Sequence, residues 1–128
     1  MLGGVLERHP RLKIVLYHGG GTFPALLARL DKGYELIAET RSQAPKPPSA
    51  YLEHFWLDTV TFDGGWLGYL IGRFGAEHVV LGSDYPLPLG PRDPVAEVRA
   101  LGLAPEDERA VLGENARALL RLRAEVVA

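Results

Sequence analysis

The sequence has no cysteine, which excludes a disulfide framework and any thiolate metal site. A bound cation must then rest on carboxylates and on a small set of histidines, four in all. There is no surplus of positive charge either: 14 Lys and Arg against 16 Asp and Glu leave a net charge of -2, which excludes nucleic acid as a partner. No apolar stretch approaches the roughly 20 residues of a membrane span, and the segment from Met1 lacks the basic start and apolar run of a signal peptide. A soluble, cytoplasmic protein with no membrane partner is the expectation. What remains is globular, with 47% hydrophobic and 23% charged residues. The 128 residues make a single domain over 1–128, about half of the roughly 250 that a complete eight-stranded βα barrel needs.

Strand and helix signals alternate along that domain. A short helix around 3–8 stops at Pro10, and a strand follows over 13–18. Thr22 is placed to cap a helix reaching to about residue 39, with Phe23, Leu26, Leu27, Leu30, Tyr34 and Ile37 as its apolar stripe against a sheet. Pro45, Pro47 and Pro48 rule out continuation of that helix and lead into a strand over 54–60. Asp63 caps a helix whose core stripe contains Trp66, Leu70 and Phe74, and Gly75 ends it before a strand over 79–82. Helices over 94–101 and 105–123 close the chain, with Asp107 and Glu108 early and Arg117, Arg121 and Arg123 late, as the helix dipole favours. Strand then helix, three times over, implies parallel strands. The continuous runs Ile14-Val15-Leu16 and Val79-Val80-Leu81 want cover on both faces, so a three-stranded sheet alone leaves apolar surface that further strands or another subunit would fill.

Two strand ends carry chemistry. Lys13-Ile14-Val15-Leu16-Tyr17 stops at His18-Gly19-Gly20-Gly21, and Val79-Val80-Leu81 stops at Gly82-Ser83-Asp84-Tyr85-Pro86. The carboxyl ends of parallel strands are where ligands bind, so His18 and Asp84 reach one rim, suited to a metal or acid/base site. Rival motifs fail on their letters. His18-Gly19-Gly20-Gly21 looks like the oxyanion loop of lipases, but Ser83 lacks the flanking glycines of a nucleophile elbow. Gly19 and Gly21 begin like a dinucleotide fingerprint, but Pro24 takes the third glycine's place. Asp58, inside an apolar strand, reads as paired with a neighbour rather than catalytic.

The run from Gly4 through His9-Pro10-Arg11-Leu12 to His18-Gly19-Gly20-Gly21, with Asp58-Thr59-Val60 and Val80-Leu81-Gly82-Ser83-Asp84-Tyr85-Pro86, resembles the aminocarboxymuconate-semialdehyde decarboxylase branch of the amidohydrolase superfamily. Gly113-Glu114-Asn115-Ala116 is similar to a signature of that family's terminal helix. The resemblance covers nearly the whole chain. It implies an α/β fold, a partial (β/α)8 barrel consisting of the last three parallel strands with their helices and the closing helices. It further implies a metal-dependent enzyme holding a divalent cation, zinc, with Asp84 as a metal ligand and His18 beside the metal to help activate the metal-bound water or move a proton. Arg29 matches an arginine that binds a substrate carboxylate in a neighbouring subunit. Carbon–carbon cleavage of a small carboxylic acid is implied ahead of hydrolysis.

The resemblance also implies what is missing. The family's first strand brings a His-x-His pair and its fifth strand another histidine, and neither strand is in this sequence. His54 and His78 fall at the amino ends of their strands and His9 in a helix-to-strand turn, away from His18 and Asp84. With one metal ligand where zinc takes three or four, the chain by itself is expected to be catalytically silent. It would work with a complementary amino-terminal half or as a homo-oligomer; the alternatives are a hydrolase of the same superfamily or a non-catalytic remnant that self-associates.

Overall fold

A computed structural model describes residues 1–122 of the chain. Among these residues the β-branched and aliphatic runs form β1 (Ile14–Leu16), β2 (Phe55–Asp58) and β3 (Val79–Val80). They pair in parallel in the order β1-β2-β3, with Ile14 opposite Phe55, Leu16 opposite Leu57, and Leu57 opposite Val79. The helices are α1 (Val5–Arg8), α2 (Phe23–Leu36), α3 (Gly64–Phe74), α4 (Pro94–Arg99), α5 (Pro105–Arg109) and α6 (Asn115–Leu119). The expected alternation is present, with shorter strands.

The helices cover one face of the sheet. Phe55, Leu57 and Val79 are buried there with Leu67, Leu70, Ile71 and Phe74 of α3. Leu57 and Leu70 are both 0% exposed, and each such leucine contributes about 1.5–3 kcal/mol by leaving water. Val98 of α4 and Val111 join Val79 in the same core. The other face behaves differently. Val15, paired with Trp56, remains 48% exposed, and Tyr17 just beyond β1 is 74% exposed. This is the uncovered apolar surface expected of a sheet with too few strands. No described helix is long and apolar enough to cross a membrane.

Local chemistry sets most boundaries and corrects several expectations. Asp63 caps α3 as predicted, accepting the Trp66 N–H at 2.7 Å, and Gly75 ends it at φ 89°. Thr22 occupies the cap position of α2 but its side chain caps nothing. Its backbone is already helical, and Pro24 at the second position offers no N–H to accept. Leu27 of the predicted α2 stripe is buried, whereas Leu26 and Ile37 are exposed. The helix stops at Leu36 rather than near 39, because Arg41 from the following turn donates to the carbonyls of Tyr34 and Glu35, each at 2.6 Å. The predicted third strand loses its last two residues because Gly82 N–H turns to the Thr59 hydroxyl, at 3.0 Å.

The long closing helix is broken into α5, a π-helical stretch over Ala110–Glu114, and α6. Immediately after the wide turn, the Asn115 amide donates to the carbonyls of Ala76 and Val79, both at 2.7 Å. Anchoring to the start of β3 thus takes precedence over continuous α-helical pairing. Arg121 lies beyond α6 in a turn at φ 55°, and Arg123 lies outside the described residues.

Candidate functional site at the carboxyl rim

Each of the three strands hands over to a loop with one non-glycine residue in the left-handed region: His18 at φ 55° after β1, Phe62 at 58° after β2 and Asp84 at 54° after β3. After His18 the chain continues through Gly19, Gly20 and Gly21 at φ 58°, 79° and 56°, a turn that only glycines follow without strain. The glycines also leave room for close packing. A Cβ on Gly19 would lie 2.7 Å from Thr61 Cγ2, and one on Gly20 would lie 2.8 Å from Leu57 Cδ2.

The result is a pair. His18 Nε2 stands 3.4 Å from Asp84 Oδ1, joining residues 66 apart in sequence. The histidine side chain is 46% exposed and the aspartate 14%, so one carboxylate is largely sheltered with an imidazole open to solvent beside it. A partly exposed ion pair returns about 0–1 kcal/mol. A left-handed non-glycine residue costs about 1–3 kcal/mol, so two of them outweigh that return. Stability does not account for the arrangement; placing an imidazole and a carboxylate at one rim does. In the turn after β3 it is the backbone carbonyl of Asp84, not its side chain, that accepts Leu87 N–H, at 2.8 Å. Ser83 serves its own turn, accepting Tyr85 N–H at 3.3 Å.

The remaining candidates sort differently. Arg29 lies exposed on α2 and takes no part in the contacts of His18 and Asp84. Asp58 is paired, as expected, but with backbone: its Oδ1 accepts the N–H of Gly19 at 2.9 Å and of Val60 at 3.1 Å. His54 Nδ1 meets the Leu12 carbonyl at 3.0 Å and His78 Nδ1 the Phe55 carbonyl at 2.9 Å, both at the amino rim. A depression also opens at that rim, and several of the groups in its wall are engaged with one another or with a ring. Lys46 stands 3.8 Å from Glu7, and Lys13 lies over the Trp56 ring at 5.2 Å. Tyr51 in its wall donates to Glu7 at 2.7 Å, and burial together with that bond raises the phenol above its ordinary range. Beside His18 lies an open depression lined by Val15, Tyr17, Gly20 and Thr22.

Imidazole nitrogen and carboxylate oxygen are donor types that suit a first-row divalent cation. Among the described residues, however, no group of three or more His, Cys, Asp or Glu side chains converges. Structural and catalytic zinc sites take three or four protein ligands, so the pair contributes to such a site without completing one.

Comparison with known proteins supplies the context. The amidohydrolase family model matches residues 1–122. The chain is 34% identical over 124 residues to 2-amino-3-carboxymuconate-6-semialdehyde decarboxylase of Dictyostelium discoideum, covering 95% of this chain and 34% of that enzyme. Its structure matches 5-carboxyvanillate decarboxylase LigW from Sphingomonas paucimobilis with a TM-score of 0.81 and 35% identity, over 95% of this chain and 37% of that one. It also matches a dihydroxybenzoic acid decarboxylase from Polaromonas sp. JS666, solved with manganese and the inhibitor 2-nitroresorcinol, with a TM-score of 0.81 and 26% identity, over 97% of this chain and 38% of that one. The chain therefore spans about a third of the length of these relatives. Its three parallel strands and helices correspond to part of an amidohydrolase barrel.

Proposed function

The chain belongs to the amidohydrolase family, and from that membership we propose that it forms the carboxyl-terminal barrel segment of a metal-dependent, non-oxidative decarboxylase acting on a small carboxylic acid. The observation that carries this reading is the His18–Asp84 pair, 3.4 Å apart at the rim where the strands end. Asp84 would be a ligand of the cation, and His18 would exchange a proton with the reacting carbon. Loss of carbon dioxide leaves an electron pair on carbon that must take up a proton, and a half-exposed imidazole is suited to deliver it. Arg29 would bind the substrate carboxylate, acting in a neighbouring subunit. When bound, the divalent cation would supply electrostatic stabilisation of the reacting oxygens. Zinc is the ion expected from the sequence resemblance, and manganese is the ion in the Polaromonas relative.

Residues from outside this segment would have to complete the ligand set. A complementary amino-terminal segment would do so, supplying strands next to β1 and covering Val15 and Tyr17. The uncovered β1 surface also supports a second reading, in which copies of the chain associate through that edge without metal or catalysis. Hydrolysis rather than decarboxylation is the remaining chemical alternative.

The test joins this chain to the part of LigW that it does not match, by fusion and by co-expression, and follows carbon dioxide release from aromatic and unsaturated carboxylic acids with zinc or manganese. Release that requires both parts and is lost in Asp84→Asn supports the decarboxylase reading. A folded, metal-loaded assembly that cleaves amide or ester substrates and releases no carbon dioxide would replace it with the hydrolase.

A further inference from the structure

We propose that Asp58, at the carboxyl end of β2, and Thr59, the next residue, form a positioning device that sets His18 against Asp84. Its functional meaning rests on the assignment of those two residues to the active rim. The middle strand holds both neighbouring loops. Asp58 Oδ1 accepts the N–H of Gly19, the residue after His18, at 2.9 Å, and steadies itself on Val60 N–H at 3.1 Å. Thr59 is 3% exposed, and its hydroxyl accepts the N–H of Gly82, two residues before Asp84, at 3.0 Å. The Thr59 N–H donates to the Val80 carbonyl at 3.1 Å, extending the link to β3.

The packing is built around these side chains. A Cβ on Gly82 would fall 3.0 Å from Asp58 Cβ, 3.1 Å from its Cγ and 2.8 Å from Val60 Cγ2. Gly82 thus leaves the space that the Asp58 side chain occupies while its Oδ1 accepts from Gly19. On the other side a Cβ on Gly19 would meet Leu70 Cδ1 at 2.9 Å, which holds that turn against α3. Neither His18 nor Asp84 has a further side-chain hydrogen bond among the described residues, so their loops depend on β2 for register. Asp58 and Thr59 would touch no substrate; they act through the backbone of Gly19 and Gly82.

The experiment uses the full chain, isotope-labelled, free of metal and substrate. Amide exchange is read at Gly19, Gly82 and the core of α3, and nuclear Overhauser contact is read between the His18 ring and the Asp84 β-protons. Asp58→Ala is expected to raise exchange at Gly19 by about tenfold or more relative to α3 and to erase the ring contact. Asp58→Asn keeps an oxygen acceptor and is expected to restore both. Should Asp58→Ala fail to fold, Thr59→Val and Thr59→Ser decide, through Gly82 exchange and the same contact: lost in the valine variant, kept in the serine variant. The proposal is overturned if the contact survives Asp58→Ala or Thr59→Val, if α3 loses protection in equal measure, or if the conservative variants fail to rescue. None of these readouts involves turnover, so failure of the assembled barrel to release carbon dioxide would remove the decarboxylase reading and leave the positioning result standing.

Discussion

The two rims of this sheet use histidine in opposite ways. At the amino rim His54 and His78 are spent on backbone carbonyls, of Leu12 and Phe55, and hold the chain where it enters the strands. At the carboxyl rim His18 faces the Asp84 side chain, half-exposed, from a left-handed backbone. A histidine with its ring satisfied by the backbone is part of the scaffold, whereas one held at a conformational cost beside a carboxylate is available for chemistry. Residue type alone distinguishes nothing here; the end of the strand does.

The strongest way to break that contrast is substitution across the rims in the assembled barrel. His18→Asn is expected to slow decarboxylation by about 100- to 10,000-fold, the usual span for a general acid or base, while His78→Ala leaves turnover by the folded protein in place. Initial rates per folded molecule check both, and equal losses would erase the distinction between rims. The next effect is structural. Asn115→Ala leaves the carbonyls of Ala76 and Val79 without their donor and should cost about 1–3 kcal/mol in urea unfolding. His78→Ala should cost less, about 0.5–1.5 kcal/mol, by the loss of one bond to Phe55. If His18→Ala destabilised as much as His78→Ala, His18 would be scaffold too.

The smallest effect is a slope with pH. The Tyr51 phenol titrates above the ordinary value of 10.0 in the folded chain, so the unfolded chain gives up this proton first. Stability from this group is therefore full below pH 10.0 and falls as pH rises through the folded value. Tyr51→Phe should flatten that decline in unfolding curves measured between neutral and strongly alkaline pH, leaving the carboxyl rim as it was.

Much of this was legible in the letters. Parallel strands followed from apolar runs alternating with helical spacing, and the His18–Asp84 encounter followed from both residues standing at strand ends, although 66 positions separate them. Arg29 is where sequence likeness goes further than geometry, because its place on an exposed helix face gives it no contact with the pair. Other features escaped because they are three-dimensional agreements between distant backbones. Asp58 reads as one acid in an apolar strand until Gly19 is found against it, and Gly82 reads as the last residue of a strand until its space is seen to be filled by Asp58. The break over Ala110–Glu114 was hidden by good helical composition, and only the two carbonyls reached by Asn115 give it a reason.

The central claim is that the carboxyl rim, and Asp84 in it, belongs to a divalent metal site that other strands complete. Elemental analysis of the purified barrel assembled from this chain and its complement, paired with its mass in solution, tests it most directly. The expected result is one zinc or manganese per complete barrel, lost in Asp84→Ala and retained in His54→Ala and His78→Ala. Full metal occupancy in folded Asp84→Ala protein would contradict the claim.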